Sequence, residues 1–296
     1  MKNTSRHGLA ILAIALGLPA LAQTPAPAKP KSPPARSEAP AARPKLDAAF
    51  DAVRQKLLAG DADRAAYEEL VGAIGTSYEA LGQSTPNTTT VRARLVGALD
   101  DLYARAKTGK VAPEELSALR VDMLDAQMHA QLAETAGKPG EKGAEALGAS
   151  LKQLADASQE LDPGTGEWRG RAQSLLEALK KQPVIETADV MPVHEELAHA
   201  ATLRSEAVLE KRAAAKTATS LDFVRMRNSV GDLLDMRGAK DPSARELKEK
   251  LATAVDELEQ RSKAAALTKM DFEPLRKELA QLGRAAQSEK PKLPHG

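Results

Sequence analysis

RAAYEELVGAIGTSYEAL, Arg64 to Leu81, decides the fold. Tyr67, Leu70, Val71, Ile74, Tyr78 and Leu81 recur at three- and four-residue spacing, the period of one face of an α-helix. Moving 156 positions along the chain, without a gap, gives SLDFVRMRNSVGDLLDMR, Ser220 to Arg237. Tyr67 then falls on Phe223, Leu70 on Met226, Ile74 on Val230 and Gly75 on Gly231. The register continues with Gly82 on Gly238, Pro86 on Pro242, Leu95 on Leu251, Leu99 on Val255, Leu102 on Leu258 and Met123 on Leu279. A fainter copy stands between them, offset by 77 from the first: Pro163 matches Pro86, Trp168 matches Val91, and Leu176 and Leu179 match Leu99 and Leu102.

Repetition on this scale predicts an all-α chain of tandem three-helix units with a period of about 78 residues, forming an elongated array or bundle. No stretch shows the two-residue alternation with β-branched enrichment that strands need. The expected organisation is a signal peptide over 1–22, a basic Pro/Ala-rich disordered linker over 23–44, and a lead-in helix plus first unit over 45–136. A second unit is expected over 137–216, a third over 217–288, and a frayed tail over 289–296.

The lead-in helix, 46–59, carries Leu46, Phe50, Val53 and Leu57 on one stripe. In the first unit, helices are expected near 63–81, near 90–107, and from Pro113 onward, the last burying Leu116, Leu119, Met123 and Leu132. Gly137 to Gly143 (GKPGEKG) reads as the strongest break and the hinge to the second unit. There, helices are expected near 144–161 and 166–181, with a third starting at Pro192. Thr217 and Ser220 are the candidate N-caps for the third unit. Its helices are expected to end at Met236, to span 243–263, and to span 271–287.

Composition constrains function further. Aromatic residues are 2% of the chain, and alanine supplies much of the 42% hydrophobic share, so each helix buries modest area. The net charge of +1 is segregated. Lys2 and Arg6 in the leader, and a surplus of four bases between Gln23 and Lys45, leave about −5 on the body. Bulk electrostatics therefore do not favour nucleic acid. With no cysteine, disulfides, thiol catalysis and thiolate metal sites are excluded. The leader has a basic start, an eleven-residue apolar run from Gly8 to Leu18, and Ala20-Leu21-Ala22 as a small-residue cleavage site. Roughly 20 apolar residues are needed to span a bilayer, so cleavage after Ala22 and a periplasmic or secreted protein are expected.

Few residues suggest chemistry. His194-Glu195-Glu196-Leu197-Ala198-His199 resembles a zinc-protease helix only loosely, because its histidines stand five apart, about 140° around the helix, and cannot share one ion. Glu196 and His199 have the Glu-x-x-His spacing of di-iron bundles, with Asp125 and His129 as the nearest second pair. Gly164-Thr165-Gly166 with Gly170 has the wrong spacing for a phosphate loop and reads as a turn. Lys107-Thr108-Gly109 lacks the Ser-x-x-Lys that would give it meaning. Asn87-Thr88-Thr89 is a glycosylation sequon only in a eukaryotic secretory pathway. Trp168, the single tryptophan, falls where Val91 and Leu247 stand in the other copies, which predicts core packing over a role as a binding anchor.

These observations predict no catalytic, cofactor or metal site. They point to an exported, non-catalytic interaction or scaffold module of a bacterial envelope, whose partner is another protein or peptide. Neither nucleic acid nor a stable membrane span is expected, and the basic linker would touch an anionic surface only weakly. An alternative is a periplasmic holdase that grips unfolded chains with Met123, Met128, Met226 and Met236. A helical-bundle enzyme or metal protein around His194 and His199 is the third possibility.

Overall fold

The computed structural model describes residues 39–80, 88–109, 111–236 and 242–288. The expected signal peptide, most of the linker, Gly82, Pro86, Asn87, Gly238 and the tail lie outside the described residues.

Ten α-helices follow one another, and no strand occurs among the described residues. They are α1 (Ala39–Leu58), α2 (Arg64–Ala80), α3 (Thr88–Ala106), α4 (Pro113–Thr135) and α5 (Gly140–Ser158), then α6 (Thr165–Lys180), α7 (Thr187–Ala214), α8 (Ser220–Met236), α9 (Pro242–Ala264) and α10 (Glu273–Ser288). A 3₁₀ turn, Lys269–Phe272, leads into α10.

The side chains bury in three clusters. Phe50 and Val53 of α1, Leu70 and Ile74 of α2, Leu99 and Leu102 of α3, and Leu116, Leu119 and Met123 of α4 form the first. The second gathers Val121, Leu124 and Met128 of α4, Leu147 and Leu154 of α5, Trp168 and Leu176 of α6, and Val193 and Leu197 of α7. The third contains Leu209 and Ala213 of α7, Phe223 and Met226 of α8, Leu251 and Val255 of α9, and Phe272 and Leu275. Hence α4 and α7 each serve two cores. A helix that buries two faces is apolar most of the way round, which explains why α4 needs more than the single stripe expected for it.

Several boundaries differ from expectation, each for a local reason. α1 begins at Ala39, inside the expected linker, since a helix accepts proline in its first turn. α7 begins at Thr187 and takes Pro192 into its second turn, instead of starting there. Its start is closed by Asp189 Oδ2, which accepts from the backbone N–H of Glu186 at 2.8 Å. Neither Thr217 nor Ser220 caps α8. Asp222 Oδ2 instead accepts from the N–H of Thr219 at 2.7 Å, and Thr217 closes the end of α7 by donating its N–H to Arg212 O at 2.8 Å. Lys216, at φ +57°, makes the left-handed turn there.

The expected hinge is tied down. Gly137 N–H donates to Ile185 O at 2.8 Å, Ile185 N–H to Lys138 O at 2.9 Å, and Gly140 N–H to Gln182 O at 3.1 Å. A Cβ on Gly140 would stand 2.3 Å from Gln182 O and 2.4 Å from Leu179 O, so only glycine lets the two loops approach this closely.

A buried charge network joins the start of α4 to the end of α7. Arg212 meets Glu115 at 3.0 Å and Asp222 at 2.9 Å, and Arg105 reaches Glu115 at 2.8 Å. Burial pushes the Glu115 carboxyl up, but Arg105, the Ala112 N–H and Arg212 outweigh it and hold it below the ordinary range.

Candidate ligand-binding groove

Where the three cores meet, faces of α3, α4, α7 and α8 enclose a groove of about 910 Å³. That volume lies within the range of small-molecule sites, roughly 300–1,000 Å³. Small side chains keep it open: Ala126, Ala130 and Ala133 line it from α4, and Ala198 and Ala201 from α7. Among them Ala126, Ala130 and Ala133 recur at four- and three-residue spacing and so share one helix face. Met191 and Val224, two of the exposed large hydrophobic side chains, line it as well.

Its ionised side chains come in cross-helix pairs. Arg94 of α3 meets Asp232 of α8 at 2.6 Å, Arg225 of α8 meets Asp122 of α4 at 2.8 Å, and Arg204 of α7 stands 3.6 Å from Asp125 of α4. The fourth lining acid, Asp101, accepts from Arg105 of its own helix at 2.8 Å. α3 packs on α1, α2 and α4, and α8 on α7 and α9. The Arg94–Asp232 pair therefore straps together two helices that do not pack extensively on one another.

On the floor, His129 of α4 and His194 of α7 lie edge to edge, with ring centroids 5.0 Å apart and planes within 7°. Their Nδ1 atoms lie 2.7 Å apart. One Nδ1 must carry the proton and the other must accept it, so the two rings hold complementary tautomers and cannot both be cations. Burial drives both pKa values down, His129 to about 4 against the pull of Asp232 and with a smaller push from Arg204, and His194 to about 3 with His129 adding to the effect. Asp125 Oδ2 faces His129 Nε2 at 3.6 Å, which favours the proton on that nitrogen and makes His194 Nδ1 the donor of the pair. Burial raises the Asp125 carboxyl to about 6, against the pull of Arg204.

The structure thus brings Asp125 and His129 to His194, but it sends Glu196 elsewhere. Glu196 accepts from Arg171 of α6 at 2.9 Å. No Glu-x-x-His pair assembles with Asp125 and His129. Asp125 and His194 also face opposite nitrogens of the His129 ring, so one ion cannot take all three. Among the described residues no group of three or more His, Asp or Glu is arranged to hold a metal.

The remaining candidates are structural in this fold. Trp168 is 1% exposed in the second core, and its Nε1 donates to Asp162 Oδ2 at 2.9 Å. Asp162 also accepts from the Gly164 N–H at 2.7 Å, which makes Asp162 to Gly164 the turn into α6. Thr108 and Gly109 terminate α3, with Gly109 at φ +70°. Met123, Met128 and Met226 are fully buried, and of the four methionines expected to grip clients only Met236 lines the groove. No helix among the described residues is long and apolar enough to cross a membrane.

Comparison with family models, curated proteins and solved structures returned no match.

Proposed function

We propose that the chain is an exported, non-catalytic binding module of the bacterial envelope, and that it binds through the groove between α3, α4, α7 and α8. The observation that carries this reading is the groove itself: a sizeable, largely apolar concavity with a few convergent polar groups. Binding is favoured over catalysis because both histidines have pKa values far below the neutral range, where a general base works best. A scaffold role toward another envelope protein or peptide would use the outer helix faces instead.

We also propose that the nine helices after α1 descend from one repeated three-helix unit. The helix bounds support this. α2 and α8 both have 17 residues, and shifting Arg64–Ala80 by 156 positions lands on Ser220–Met236. α3, α6 and α9 begin at residues 88, 165 and 242, two successive steps of 77. The holdase alternative loses support from the burial of three of its four methionines.

The binding reading is tested by titrating the full chain with the environment-sensitive apolar fluorophore N-phenyl-1-naphthylamine, alongside the variants Ala133→Trp and Ala201→Trp. These fill the groove from α4 and from α7. Saturable binding of about one probe per chain is expected, weakened in both variants while the melting temperature holds. Equal binding by the parent and both folded variants would refute it.

A further inference from the structure

We infer that the groove selects a neutral amphiphile, an apolar body carrying one hydroxyl or amide hydrogen-bond donor, over an anion, a cation or a helix. This inference rests on the groove being the binding site and adds the class of ligand.

Size and closure come first. The Arg94–Asp232 strap joins α3 to α8 at 2.6 Å, and a helix about 10 Å across cannot lie between those walls at that level. A small molecule fits beneath it.

Charge comes second. Arg94, Arg204 and Arg225 face Asp232, Asp125 and Asp122 respectively, and Asp101 is held by Arg105. Each lining charge already has an opposite partner. A charged ligand would enter a mainly apolar space and meet no unmatched counter-charge, so its desolvation is left uncompensated. Arg204 Nη1, Arg225 Nη1 and Nη2, and Asp222 Oδ1 lack hydrogen-bond partners and are fully buried. Arg204 and Arg225 line the groove, and together with Asp222, Asp122 and Ser205 they also surround an adjoining space of about 10 Å³. That is room for about one water and too little for a carboxylate or phosphate.

Hydrogen bonding comes third. With His129 Nε2–H toward Asp125 and His194 Nδ1–H donated to His129, His194 is left with an Nε2 lone pair. It makes no hydrogen bond among the described residues, and half-buried His194 lines the groove. An acceptor on an apolar wall selects a ligand that brings a donor.

The experiment displaces N-phenyl-1-naphthylamine from the full chain with four probes that share a ten-carbon chain, all kept below their aggregation limits: 1-decanol, decanoate, decylammonium and decyl methyl ether. Decanol is expected to compete at least about ten-fold better than either ion and about three- to ten-fold better than the ether. His194→Leu should bring the decanol-to-ether competition ratio close to one, and His194→Gln, which keeps an acceptor, should retain part of the preference. Equal or tighter competition by decanoate or decylammonium overturns the inference, as does an ether preference that His194→Leu leaves unchanged. If instead Ala133→Trp and Ala201→Trp leave binding of all four unaffected, the groove is not the site, and the broader reading fails with it.

Discussion

Nδ1 of His129 on α4 lies 2.7 Å from Nδ1 of His194 on α7, with the two rings parallel. Such a contact is lost once both rings are protonated, which gives the groove a defined response to acid. Both folded pKa values lie below the ordinary histidine value near 6.5, so the pair's contribution to stability is complete above that pH. It is lost as pH falls toward 4, because the unfolded chain takes up the protons first. Unfolding in denaturant should show stability falling by on the order of 2 kcal/mol from pH 6.5 to pH 4, after discounting partial exposure. The double variant His129→Gln/His194→Gln should flatten that slope, and an unchanged slope would show that the pair is not neutral.

Asp125 works in the opposite sense. Its folded pKa, raised to about 6, means that its contribution is present below the unfolded value near 3.8 and disappears as pH rises through 6. Asp125→Asn should therefore gain on the parent by about 2 kcal/mol between pH 4 and pH 7.5, whatever its absolute stability. The same denaturant titrations at the two pH values decide this.

The tied loop at Gly140 yields a paired test. Gly140→Ala drives a Cβ into the carbonyls of Gln182 and Leu179 and should cost about 2–3 kcal/mol. Gly148→Ala, on the same helix with nothing within 4 Å of the new carbon, should stabilise by about 0.5–1 kcal/mol. Thermal melts of the two variants should move in opposite directions, and similar shifts would show that the 137–143 segment is free to give way.

The network around Glu115 should behave as a buried ion cluster. Glu115→Ala takes a carboxylate partner from both Arg212 and Arg105 and should cost about 3 kcal/mol, since breaking a buried ion pair leaves its charge undercompensated. The exposed pair Arg64–Glu68, by contrast, should show little or no coupling in a double-mutant cycle, because solvent screens it.

Much of the fold could be read from side-chain periodicity. Leu46, Phe50, Val53 and Leu57 line α1, and Leu70 and Ile74 line α2, as the three-four spacing implies, because each of these helices buries a single face. α4 and α7 were harder to read. Each packs into two cores, so Val121, Leu124 and Met128 lie off the stripe of Leu116, Leu119 and Met123. The groove was the least legible feature. Its contacts join residues 138, 103 and 65 positions apart, as in Arg94–Asp232, Arg225–Asp122 and His129–His194. No spacing rule within one helix reports such pairs. The histidine that looked best with His194 in sequence was His199, five residues on, whereas the fold pairs it with His129. The alanines of the floor carry no chemical signal until their helices are placed side by side.

The most direct measurement is native mass spectrometry of the chain purified from its native host, set beside Ala133→Trp and Ala201→Trp prepared in the same way. A small-molecule adduct of defined mass is expected on the parent and lost from both variants, with charge-state distributions unchanged. A parent without adduct, or an adduct retained by both groove-filled variants, would contradict binding in the groove.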